Sequence, residues 1–253
     1  MPSDLIAVVP AAGRGTRLGV DTPKLFTSIT ESLRVWDVLI SQLASSVSRI
    51  HVVLSDEGLA YFEQHRPLVP TGVELSLSVQ PVPRGMGDAV FGAIEHWRDA
   101  RDVIVVWGDQ VGLSRETLSR TVETQRSAPP PSITLPLVAM SHPYVHYAFV
   151  NERLDRVQQA REGDTCPPSG RSDVGLFAFS SVGIEAAWQR YLTRPESRGA
   201  RTREINLLPF FAHLSTHDHF AVNVIEVHDA NESRGINTPD DLAHFRERLN
   251  ATR

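Results

Sequence analysis

The chain has 253 residues, 41% of them hydrophobic and 22% charged, with a formal net charge of −5. That composition supports a sizeable core and excludes a disordered chain, while the acidic balance argues against a surface built for nucleic acid. Cys166 is the single cysteine and has no internal disulfide partner, and no apolar run is long enough to span a bilayer. The apolar stretch near the N-terminus is too short for a signal peptide. The expectation is a cytoplasmic protein with neither nucleic acid nor membrane as partner. A small anionic ligand stays open, because one local positive pocket is enough to hold it, and so does a homo-oligomer.

Short apolar runs alternate with helical patterns through the first half. Residues 5–9 read as a buried strand, 35–43 as an amphipathic helix, 50–54 as a strand and 59–65 as a helix. Residues 73–79 alternate as a strand, 86–97 read as one helix, 103–107 as a continuous apolar strand and 114–126 as a helix capped by Ser114. This order predicts an α/β fold with a mainly parallel, doubly wound, Rossmann-like sheet. Ala128-Pro129-Pro130-Pro131 breaks the pattern. Beyond it, residues 133–139, 145–150, 174–179 and 221–227 read as strands. Residues 163–170 read as a loop, and 183–192, 205–214 and 239–249 as helices. The second half is expected as an added lobe on the same sheet, giving one domain with halves 1–127 and 128–253.

The most informative stretch follows the first strand: Pro10-Ala11-Ala12-Gly13-Arg14-Gly15-Thr16-Arg17-Leu18, then Thr22-Pro23-Lys24. The end of a strand is where an open parallel sheet binds ligands. Small residues there let backbone N–H groups close on phosphate oxygens, and Arg14, Arg17 and Lys24 add three cations. A plain tight turn is the competing reading of the glycines. A dinucleotide fingerprint would want glycine where Leu18 stands, and a Walker loop would need Gly-Lys-Ser/Thr, which Lys24 does not supply.

With Pro23-Lys24 downstream, this stretch resembles the signature of the sugar-phosphate nucleotidyltransferases, and within them the uridyltransferase domain that makes UDP-N-acetylglucosamine. The likeness continues along nearly the whole chain. Gln80-Pro81 with Gly85-Met86-Gly87-Asp88 is similar to the family's base-recognition loop, which implies that Gln80 and Gly85 meet the nucleobase. Gly108-Asp109 looks like the family's Gly-Asp, whose carboxylate holds the catalytic metal, and Gly235-Ile236-Asn237 resembles the late motif whose Asn is the second protein ligand. Asp173 stands in the place of a sugar-contacting Asn, Gln159 in that of a sugar-binding Glu, and Tyr144 lies in a segment that replaces a glycine-containing strand near the acceptor. Glu204 stands where a Glu contacts the sugar. Taken singly, Asp109 could be a turn cap and Asn237 the cap of the last helix.

The resemblance implies Mg2+-dependent transfer of a nucleotide from an NTP, with UTP favoured, to a phosphorylated small-molecule acceptor, releasing pyrophosphate to form an NDP-sugar or similar product. Arg17, Lys24 and Asp109 would be catalytic, and Asp109 and Asn237 would hold the metal. Ala11, Ala12, Gly13, Arg14, Gly15, Thr16, Gln80, Gly85 and Gly108 would bind nucleotide; Tyr144, Gln159, Asp173 and Glu204 would bind acceptor. The departures at Met86, Gln159, Asp173 and residues 143–147 fall on the acceptor side and point away from N-acetylglucosamine 1-phosphate. Alternatives are a cytidylyltransferase for an alditol, cyclitol or phosphonate, and a non-catalytic nucleotide-binding regulator. A glycosyltransferase would usually show Asp-x-Asp, where this chain has Gly108-Asp109-Gln110.

Overall fold

The structure, a computed structural model, describes residues 4–13, 15, 18, 19 and 22–251. Four parallel strands form its first half: β1 (Leu5–Pro10), β2 (Arg49–Leu54), β3 (Glu74–Val79) and β4 (Asp102–Val106). They stand in the order β4–β1–β2–β3, with Ala7 opposite Ile50 on one side and Ile104 on the other. β1 is buried along its whole length because both of its faces are covered. Leu5, Ala7 and Val9 enter one apolar core, and Ile6 and Val8 enter the other. A continuous apolar run is the sequence form that such a two-sided strand takes.

Helices α1 (Val35–Ala44), α4 (Arg115–Ser127) and α7 (Pro239–Ala251) pack on the first core. The second core takes α3 (Met86–Gly92), α5 (Ile184–Leu192) and α6 (Leu208–Thr216). The sheet is therefore doubly wound, as expected. α2 (Asp56–His65) starts where Ser55 Oγ accepts from Gly58 N at 3.0 Å, and α4 where Ser114 Oγ accepts from Thr117 N at 3.0 Å. These side-chain oxygens satisfy N–H groups that the first helical turn leaves without partners.

The second half extends the same sheet and adds a small two-stranded one. β5 (Ser132–Ser141), β9 (Leu176–Ser180) and β10 (Ala221–Val227) continue it in the order β10–β5–β9–β4. β9 runs antiparallel to both β4 and β5, while β10 is parallel to β5. β6 (Val145–Val150) and β7 (Arg153–Gln159) form a separate hairpin whose Tyr147, Leu154 and Val157 join the second core. Among the described residues, no helix is long and apolar enough to cross a membrane.

Three expectations differ from the structure. The helix expected over 86–97 stops at Gly92 and is followed by a 3-10 turn, Ile94–His96. Glycine is a poor helix former, and the Trp97 indole donates to Val90 O at 2.9 Å, capping a carbonyl the helix leaves open. The expected loop over 163–170 contains the start of β8 (Ser169–Asp173), a polar strand held by antiparallel pairing to Leu137–Ser141 of β5. β7 is a strand that the sequence does not mark, because the pairing register of the hairpin shifts between Ala148 and Phe149. The irregularity puts Leu154 and Val157 three residues apart on one buried side, which hides the two-residue alternation that marks a strand.

His51 is fully buried in β2, its two ring nitrogens 2.8 and 2.9 Å from the hydroxyls of Ser76 and Ser78 on β3. Burial, and then the charge of the stacked His96, lowers its pKa from 6.5 to about 4. A folded-state pKa below the unfolded one means the unfolded chain binds more protons between the two values. Stability should therefore be full above pH 6.5 and fall as pH drops toward 4, by about 3 kcal/mol from this residue. Urea unfolding at pH 7 and pH 4.5 checks this: His51→Gln should show a smaller acid loss than wild type, and an equal loss would refute the assignment.

Candidate active site

A cleft with a cavity volume of about 250 Å³ opens at the carboxyl ends of β1, β3 and β4. Each contributes the residues that follow it. Ala11, Ala12 and Gly13 come after β1, Gln80 after β3, and Trp107, Gly108 and Asp109 after β4. Gly108 has a steric reason to be glycine, since a Cβ there would lie 2.7 Å from the Ala11 side chain. The two loops are also tied by Gly108 N donating to Pro10 O at 3.3 Å.

Lys24 enters from a 3-10 turn, Lys24–Phe26, whose Leu25 and Phe26 are buried in the first core. Its ammonium donates to Asp109 Oδ2 at 2.5 Å and to Asn237 Oδ1 at 2.9 Å. Lys24 and Asp109 are each 18% exposed, so the pair sits in the cleft wall rather than on the surface. Gly15 has φ +61°, and a Cβ on it would lie 3.1 Å from Lys24 Cβ, so the Gly-rich loop runs directly against this side chain.

Asn237 is set by its neighbours. Ile236 N donates to Asp109 O at 3.0 Å, and a Cβ on Gly235 would come within 3.0 Å of the Asp109 carboxyl carbon. Asp241, at the start of α7, accepts from Asn237 N at 3.0 Å and Thr238 N at 2.8 Å and pairs with Arg234 at 2.7 Å. The helix cap that the sequence offers as a bland reading is therefore supplied by Thr238 and Asp241, and the Asn237 side chain faces Lys24. Behind Asp109, Gln110 is buried and donates to Val174 O and, at 2.7 Å, to Glu232 O.

Gln80 is buried in the cleft wall, where its amide nitrogen donates to Gly85 O at 3.1 Å and Asp88 Oδ2 at 2.7 Å. Gly85 has φ +115°, and a Cβ on it would lie 2.6 Å from Ile205 O. Glu204 and Ile205 pass over this loop as a strap: Ile205 N donates to Arg84 O at 2.6 Å, and Gly87 N donates back to Ile205 O at 3.0 Å. Met86, Arg161 and Glu204 complete the wall.

The residues expected from the sequence divide into groups by position. Ala11, Ala12, Gly13, Lys24, Gln80, Gly85, Gly108, Asp109, Glu204 and Asn237 all line the one cleft. Tyr144, Gln159 and Asp173 are not among its described lining residues. Tyr144 is 59% exposed at the foot of the β6–β7 hairpin, and Gln159 is buried beside a separate cavity with Glu162 and His213. Asp173 is half-buried at the end of β8, accepting from Gly175 N at 2.9 Å. Burial raises its pKa to about 6 against that hydrogen bond, and the charge of Asp109 adds to the rise. Arg14, Thr16 and Arg17 lie outside the described residues. Arg161 is a lining residue that the sequence does not single out; its only signal is its place two residues after Gln159.

Comparison with known proteins bears on the whole arrangement. Residues 7–171 match the model of the MobA-like NTP transferase domain. The chain belongs to that family. The match takes in Lys24, Gln80 and Asp109 and stops short of Glu204 and Asn237. The chain is 27% identical over 260 residues to the bifunctional protein GlmU of Mycobacterium tuberculosis, covering 98% of this chain and 50% of that one. It thus spans about half the length of the curated relatives it matches. Two solved structures share the fold: a Bacillus anthracis protein assigned as a glucose-1-phosphate thymidylyltransferase (TM-score 0.72, 15% identity, 96% of this chain and 94% of that one) and the 4-diphosphocytidyl-2C-methyl-D-erythritol synthase of Anaerococcus prevotii (TM-score 0.68, 13% identity, 98% and 99%).

Gly85→Ala tests the packing of the strap. Left-handed backbone and a 2.6 Å approach to Ile205 O together should cost about 3 kcal/mol in urea unfolding. A loss below about 0.5 kcal/mol would show that the strap does not close on this loop.

Proposed function

We propose that this chain transfers a nucleoside monophosphate from an NTP to a phosphorylated small acceptor, a sugar 1-phosphate or similar polyol phosphate, releasing pyrophosphate. The observation that carries the reading is the meeting of Lys24, Asp109 and Asn237 in one cleft with the Ala11–Gly13 backbone. A phosphate oxygen of the acceptor attacks the α-phosphorus of the NTP in line. The new O–P bond forms as the bond from the α-phosphorus to the bridging oxygen breaks, and the electron pair leaves with pyrophosphate. The attacking oxygen is already anionic near neutral pH, so no general base is needed. The barrier lies in bringing two anions together, and catalysis is positioning and charge stabilisation.

Each residue has a part in that chemistry. Backbone N–H groups of residues 11–13 receive the triphosphate. Lys24 leaves its resting contacts to neutralise the α-phosphate and the incoming oxygen. Arg14 and Arg17 are assigned the β- and γ-phosphates on the sequence alone. Asp109 Oδ2 and Asn237 Oδ1 both bond the same ammonium, so a carboxylate and an amide oxygen converge on one cationic position. Two hard oxygen donors fit Mg2+, which keeps most of its waters and is held with substrate phosphates. When bound there, the ion would offset charge on the phosphate oxygens.

Gln80 is the base contact. Its nitrogen faces the Asp88 carboxylate, which can only accept, so Oε1 remains for the ligand. That oxygen can accept from the imide N–H of uracil or from the amino group of cytosine. UTP is the leading donor and CTP the alternative, for an alditol, cyclitol or phosphonate acceptor.

The test is a matrix of NTPs and phosphorylated acceptors with Mg2+, read by pyrophosphate release. Lys24→Ala and Asp109→Ala should each lower turnover by roughly a hundredfold or more with the fold retained by circular dichroism. Near-wild-type turnover in either would refute the mechanism, and no release from any pair would refute the reaction.

A further inference from the structure

Arg161 and Glu204 line the cleft, arriving from separate parts of the chain. Arg161 sits in the 3-10 turn Ala160–Glu162 after β7, and Glu204 in the strap that crosses the Gly85 loop. The Arg161 Nη2 donates to Glu204 Oε2, and its Nε donates to Glu162 Oε1 at 3.1 Å. Glu162 is buried and also accepts from Arg201 N at 3.0 Å, Thr202 N at 3.1 Å and Thr202 Oγ1 at 2.7 Å. Gly199 lets this clip close, since a Cβ there would lie 2.5 Å from the Glu162 carboxylate. The guanidinium is thus fixed along one edge, while both Arg161 and Glu204 remain about one-third exposed to the cleft.

The clip carries one positive and two negative charges, a net −1. Glu162 stays ionised: burial pulls its pKa upward, and the hydrogen bonds from Thr202 and Arg201 with the charge of Arg161 outweigh that and hold it below its usual value. Arg201 lies over Gly163, exposed and away from the cleft lining, so solvent screens its charge. Among the described residues, Arg161 Nη1 and Glu204 Oε1 have no hydrogen-bond partner. A donor beside an acceptor matches two neighbouring hydroxyls, one giving its proton to the carboxylate and the other receiving from the guanidinium. A second anionic group on the acceptor would meet Arg161 and Glu204, with the charge of the buried Glu162 carboxylate behind the guanidinium.

Resting on the nucleotidyl-transfer reading, we infer that Arg161 is a specificity-determining residue that, with Glu204, selects an acceptor bearing vicinal hydroxyls and rejects one carrying a second anionic group. Repulsion does the rejecting, so the charge of the clip sets the selectivity.

The two single variants move that charge in opposite directions. Glu204→Gln takes the clip to zero and Arg161→Gln takes it to −2. The probes are a hexose 1-phosphate and the matching hexuronic acid 1-phosphate, which differ by one carboxylate, assayed by pyrophosphate release with the best NTP. Wild type should favour the hexose by roughly tenfold or more in kcat/KM. Glu204→Gln should narrow that ratio at least about threefold and Arg161→Gln should widen it, with KM for the NTP moving less than about twofold in both. Arg161→Lys should keep the wild-type ratio, because it keeps the charge. A clip with a purely structural role would lower Tm and shift both acceptors equally. Unchanged ratios with intact turnover would sink the inference and leave nucleotidyl transfer standing. No release from wild type with either acceptor would overturn the inference, whereas nucleotidyl transfer falls only if no pair of NTP and phosphorylated acceptor releases pyrophosphate.

Discussion

One ammonium group shared between a carboxylate and an amide oxygen joins three parts of the chain that are remote in sequence. Lys24 lies 85 residues from Asp109 and 213 from Asn237, yet bonds both. A half-buried ion pair contributes little net stability, because desolvation offsets most of the attraction. Its consequence is positional. For Asp109 to reach Lys24, β4 must lie next to β1, and for Asn237 to reach it, the last loop must fold onto the Asp109 backbone. The register of β1 with β4 and the hydrogen bond from Ile236 N to Asp109 O supply those two conditions. The open sheet then does what open parallel sheets do: it places the loops after its strands around one crevice.

The Gly85 loop and the Glu204 wall of that crevice are mechanically one unit. The Arg84–Gly87 loop contacts the strap that carries Glu204 and Ile205, through backbone hydrogen bonds at Arg84 O and Gly87 N and through spaces too small for a Cβ at Gly85 and Gly87. The same strap is pinned from its outer side by Glu162, which also orients Arg161. A change in either loop therefore reaches the other without any flexible linker between them, and the shape of the wall at Glu204 is set by groups that also frame Gln80.

Much of the arrangement is legible in the sequence, for physical reasons that differ by residue. Apolar runs such as 5–9 and 103–107 announce strands covered on both faces, and β1 and β4 are such strands. Small residues and cations after the first strand point to an anion site, and Ala11 to Gly13 and Lys24 do line the cleft. Asn237 is ambiguous in sequence because a helix follows it. Only the structure shows that Thr238 and Asp241 take capping bonds and that the Asn237 side chain accepts from Lys24. The acceptor side is harder to read. A register shift in the β6–β7 hairpin decides which side chains of β7 face inward, and no local pattern encodes it. Gln159 consequently faces another cavity, Tyr144 faces solvent, and Arg161 lines the cleft through a turn stabilised by a buried Glu162 forty residues from Thr202.

Crystals of the protein soaked with an NTP and Mn2+, examined by anomalous scattering, address the convergence of these groups on a polyphosphate most directly. The arrangement predicts one manganese peak coordinated by Asp109 and Asn237, with the triphosphate along residues 11–13 and the Lys24 ammonium moved onto a phosphate oxygen. Nucleotide bound outside this cleft, or a metal peak that involves neither Asp109 nor Asn237, would contradict it.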